Sequence, residues 1–134
     1  MNNPIKKILI LVVEDEKILV NILEEKLASE GFQVIKAFDG DEGLDLAKKE
    51  HPDLILLDIL LPKVDGLTML KKLREDSWGS HAEVMILTNV VDTAKIVEGM
   101  NINMDVNNTY EYVLKTSQSL DELVSRIKLR FKTK

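Results

Sequence analysis

The chain has 134 residues, 45% of them hydrophobic, with 18 basic and 23 acidic side chains and a net charge of −5. That length suits one domain over residues 1–134 with a folded core at about 7–131, large enough to bury a substantial core. The lack of cysteine removes disulfides and thiolate metal sites, while the acidic balance and 4% aromatic content argue against direct binding of nucleic acid.

Lys7 to Val13, "KILILVV", reads as a strand buried on both faces. Neither it nor any other aliphatic run is long enough to span a bilayer, and the N-terminus has no apolar segment of signal-peptide type. "EKILVNILEEKLASEG" follows as a helix. Its expected apolar stripe is Leu19, Ile22, Leu23 and Leu27, and Gly31 is its stop. Phe32 to Ala37 is the second strand. "DGDEGLDLAKKEH" is a short helix opened by a capping box of Asp39 and Glu42, ending before Pro52. "DLILLD" is the third strand, and "GLTMLKKLRED" a helix after Gly66. The loop that follows holds Trp78, expected to be structural. Glu83 to Thr88 is the fourth strand, and a helix is expected from near Asp92. Glu111 to Lys115 is a short fifth strand. The last helix is expected to open on a capping box at Ser119-Leu120-Asp121-Glu122 and to run to about Arg130.

A strand–helix unit repeated five times implies a parallel sheet with helices on both faces. Ligands of such sheets bind beyond the carboxyl ends of the strands. Those ends carry Glu14 and Asp15, then Asp58, then Thr88 and Asn89, then Lys115 and Thr116. Carboxylates gathered at one rim repel one another, and each raises the others' pKa. A divalent cation removes that conflict. Carboxylates with water and backbone carbonyls describe a Mg²⁺ site, and Mg²⁺ held by few carboxylates completes its shell with waters and phosphate oxygens. A phosphoryl group is therefore the expected ligand. Each residue also has a plainer reading. Asp15 could cap the first helix. Glu14 and Lys115 could be solvated charges, Asp58 a strand end in solvent, and Thr88 an ordinary strand residue. Their shared position at one end of the sheet weighs against those readings.

"ILILVVEDE", "DLILLDILLPKVDG", "VMILTN" and "YVLK" resemble the receiver domain of bacterial two-component response regulators. The Asp-x-x-x-Pro-x-x-x-Gly pattern of Asp58, Pro62 and Gly66 is part of that resemblance, which runs from about Lys7 to the last helix. It implies a doubly wound, flavodoxin-like (CheY-like) α/β fold, (βα)5, with a five-stranded parallel sheet of order 2-1-3-4-5. It implies that Asp58 is a phosphoacceptor, taking its phosphoryl group from a histidine of a sensor kinase or histidine phosphotransfer protein. Asp15, Asp58 and the backbone carbonyl of Leu60 would ligate Mg²⁺ (or Mn²⁺), with Glu14 acting through water. Lys115 and Thr88 would contact the phosphoryl oxygens, and Thr88 with Tyr112 would form the switch. Such a protein catalyses its own phosphorylation and dephosphorylation and is not an enzyme acting on a separate substrate. It is cytoplasmic, a monomer or weak dimer, and signals to a downstream protein target or output domain. No output domain is expected after the last helix, so the chain reads either as a stand-alone receiver or as a receiver cut from a larger regulator. The message would emerge on the face made by the helix near Asp92, the fifth strand and the last helix. Ile18 and Leu19 stand where a kinase helix could touch, although core packing is the simpler role for Leu19.

Three features depart from the family pattern. Thr116 stands where proline usually follows the lysine through a cis bond. A non-proline cis bond costs about 2.5–4 kcal/mol, so a trans bond with a rearranged loop, or a strained cis bond, is expected. Thr88 and Lys115 are 27 positions apart, a longer span than usual, and the surplus falls in the Asn-rich Asn101 to Thr109. Asn89 replaces a small residue. Leu60 and Val90, both apolar, cannot orient an attacking water, so a slowly hydrolysing acyl phosphate is expected. Three other readings compete. A flavodoxin-type FMN site needs a donor-rich loop after the first strand, where this chain places anions. A haloacid-dehalogenase-like phosphatase needs a second aspartate just after Asp58. A receiver-like interaction scaffold that is never phosphorylated is the remaining alternative.

Overall fold

Leu9–Val13 forms β1, and its side chains divide between two cores as a strand's two-residue period requires. The computed structural model describes residues 7–58, 65–88, 109–113 and 117–131. After β1 come α1 (Lys17–Ser29), β2 (Gln33–Ala37), α2 (Gly40–Glu50), β3 (Leu54–Asp58), α3 (Gly66–Glu75), a 3-10 turn (Gly79–His81), β4 (Val84–Thr88), β5 (Thr109–Val113) and α4 (Ser117–Phe131). The strands pair in parallel in the order β2-β1-β3-β4-β5, as expected. Leu11, Val13, Ile55 and Leu57 point to one face and pack with Met69, Leu70 and Leu73 of α3. Ile10, Val12, Leu54 and Leu56 point to the other, against Val20, Leu23 and Leu27 of α1 and Leu120, Leu123 and Ile127 of α4. The central strands are thus covered on both sides, which explains why they read as unbroken aliphatic runs.

Helix ends follow local chemistry. Asp39 Oδ1 accepts from Glu42 N at 2.9 Å, the capping half of the expected box of α2, while Glu42 Oε1 reaches back one residue further and accepts from Phe38 N at 2.8 Å. Asp39→Ala should lower the unfolding free energy by about 1 kcal/mol, read as a reduced urea midpoint at unchanged slope. Asp65 caps α3 by accepting from Thr68 N at 2.8 Å. Gly31, with φ of 95°, ends α1 as a Schellman motif: its N–H donates to Ala28 O, and Phe32 N–H donates to Leu27 O.

Three local expectations need correction. The buried stripe of α1 is Val20, Leu23 and Leu27; Leu19 is half-buried and Ile22 is 37% exposed. The helix rests on the sheet by one flank, so a wider stripe leaves its edge in water. α4 starts at Ser117, which puts Ser119 inside the first turn instead of at the cap. Docking of Leu120 beside Leu123 and Ile127 carries the helix upstream of the local signal. β5 lies at Thr109–Val113, earlier than expected, because it pairs with β4 from Val84↔Thr109 to Thr88↔Val113.

The amino edge of the sheet is tied separately. Asp53 Oδ2 accepts from Leu9 N at 2.8 Å, and Asp53 N donates to Leu9 O at 2.7 Å. Trp78 stacks on His51 with ring centroids 4.4 Å apart, at the end of the sheet where β4 begins, which fits the expected structural role. No helix among the described residues is long and apolar enough to cross a membrane. No peptide bond among the described residues is cis. The Lys115–Thr116 bond, the helix expected near Asp92, Asn89, Val90, Leu60, Pro62 and the Asn-rich segment before Thr109 lie outside the described residues.

Candidate functional site

The site is built where β1 and β3 end side by side. Val13, fully buried, pairs with both Ala37 and Leu57. The ladder continues one residue further, because Glu14 N donates to Ala37 O at 3.0 Å. This bond holds Glu14 at the core boundary, and its side chain lies in a residue only 5% exposed. Asp58, the last residue of β3, is half-buried and pairs with Leu87. Asp15 is exposed at the start of the next turn. One carboxylate oxygen from each of Glu14, Asp15 and Asp58 lies within 4.8 Å of the others.

Electrostatics follow from that crowding. Burial first, and the charge of Asp58 second, push the Glu14 carboxyl up to about 8. Hydrogen bonds with Asp58 and Asp15 act in the same direction, since two carboxyls share a proton only if one is protonated. The Glu16 N–H, donated to Glu14 Oε2 at 3.0 Å, pulls the other way and is outweighed. Without a cation, Glu14 therefore keeps a proton at neutral pH. A hard divalent cation suits this all-oxygen donor set and would replace that proton.

The plainer role for Asp15 does not hold. The N-cap of α1 is Glu16, and no side chain caps the helix. The sequence reading also allowed Glu14 to be a solvated residue; it is instead the one buried charged residue among those whose side-chain burial is described. Its signal was its place directly after four buried strand residues. Thr88 ends β4, one position past Leu87, the partner of Asp58, so its backbone sits at the same rim. Leu87 pairs in turn with Tyr112, which places Asp58, Leu87 and Tyr112 in one row across three strands. Lys115 and Leu60, and the side chains of Thr88 and Tyr112, lie outside what is described. Near the acids, Ile18 is 71% exposed, whereas Leu19 packs against the core beneath α1.

Residues 10–128 match the response regulator receiver domain family. The chain is 40% identical over 121 residues to the transcriptional regulatory protein DltR of Streptococcus agalactiae, covering 90% of this chain and 50% of that protein. It thus spans about half the length of the curated relatives it matches. The receiver domain of a Francisella response regulator superposes with a TM-score of 0.76 at 28% identity, covering 94% of this chain and 98% of that one. The receiver domain of a Pseudomonas aeruginosa sensor histidine kinase, which has magnesium coordinated in its active-site cleft, gives 0.76 at 27% identity over 94% and 98%. Fold, acidic rim and relatives together identify this chain as a member of the response regulator receiver domain family, the CheY-like signalling domain of two-component systems.

Proposed function

We propose that this receiver accepts a phosphoryl group on Asp58, in a Mg²⁺-dependent transfer from the phosphohistidine of a sensor kinase or phosphotransfer protein. The observation that carries the reading is the convergence of Glu14, Asp15 and Asp58, with Glu14 buried and its carboxyl pushed up to about 8 by that burial and by the charge of Asp58. Asp15, Asp58 and the backbone carbonyl of Leu60 would hold Mg²⁺ (or Mn²⁺) directly, and Glu14 would hold it through water. When bound, the ion supplies neutralisation of the acids and of the incoming phosphoryl oxygens.

The chain's own groups do the rest. A carboxylate oxygen of Asp58 attacks phosphorus as the P–N bond to histidine breaks, and the bonding pair leaves with the imidazole nitrogen. Catalysis is positioning and charge neutralisation around a loose transition state. Lys115 pairs with Asp58 and then with a phosphoryl oxygen. The Thr88 hydroxyl donates to another, and Tyr112 moves into the space it leaves. The added dianion thereby biases two packings of β4 and β5. The donor must bring its histidine to Asp58, so its surface covers the start of α1, where exposed Ile18 offers an apolar contact. The output is carried to a downstream protein target or output domain.

Intact-mass measurement after incubation with Mg²⁺ and a small phosphodonor tests this reading. A phosphoryl mass gain is expected in the wild type, none in Asp58→Ala, and none with chelator present. No gain in the wild type would favour a scaffold that is never phosphorylated. Decay of the adduct should also be slow. Replacing Leu60 by Asn and Val90 by Glu should shorten its lifetime severalfold in the same assay, by admitting and orienting water.

A further inference from the structure

We draw no further inference here: the strongest candidate, the groove of about 230 Å³ between α1 and α4, carries nothing because its lysines, Lys26 and Lys128, already pair with Asp121 and Glu30 and nothing in the structure shows what would occupy it.

Discussion

Without a divalent cation, the protein should lose stability as pH rises from about 5 to about 8. The cause is Glu14, whose carboxyl moves from 4.5 to about 8 on folding. Between those values the folded chain binds a proton that the unfolded chain has released, so unfolding free energy falls with pH. The stabilisation is complete below the unfolded value and lost as pH passes the folded one. Its size is on the order of a few kcal/mol. Urea unfolding at a series of pH values measures it. Saturating Mg²⁺ should flatten the slope, because the cation takes the place of the proton, and should stabilise by about 2.7 kcal/mol at a hundredfold excess over its dissociation constant. Glu14→Gln keeps the shape and cannot ionise. It should abolish the slope, match or exceed the wild type at alkaline pH, and weaken Mg²⁺ binding by roughly 10-fold or more. An unchanged slope in Glu14→Gln would show that another group carries the pH dependence.

Gly79→Ala should destabilise the fold by roughly 2–3 kcal/mol without affecting Mg²⁺ binding. A Cβ at this position would clash with Leu73 O and lie 2.8 Å from Leu73 Cδ1. The first contact is with backbone, so the turn itself must move. That turn is held from both sides. Asp76 Oδ2 accepts from Trp78 N at 3.0 Å and Gly79 N at 2.8 Å. Arg74 Nη1 donates to Gly79 O at 2.9 Å and Ala82 O at 2.6 Å. Displacing Gly79 strains these bonds together and shifts Trp78 on His51. The expected readings are a lower urea midpoint, altered Trp78 emission, and a Mg²⁺ affinity within about twofold of wild type. The affinity should hold because the turn precedes β4 while the acids lie at the carboxyl ends of the strands. A wild-type midpoint would mean the close approach relaxes at little cost.

The two aspartates that bracket the third aliphatic run show how far local sequence reaches. Asp53 and Asp58 look alike in "DLILLD". The first closes a hydrogen-bonded pair with Leu9, and the second joins the acidic rim. Parallel topology separates them, and that topology was legible because strand and helix periods alternate along the chain. The cap at Asp39 and the stop at Gly31 were legible for a related reason: their partners lie within a few residues. The stripe of α1 and the start of α4 were not, because they depend on what each helix packs against.

Residue types and their order along the chain thus determined that this protein is a doubly wound parallel sheet with carboxylates at one edge. Only the tertiary structure decided that Glu14 is buried and that Asp15 leaves α1 uncapped. The physical reason is that the carbonyl of Ala37 on one neighbouring strand holds Glu14 at the core boundary, and that burial, together with the charge of Asp58 on another strand, pushes its carboxyl up. Those groups meet it only after the strands have paired.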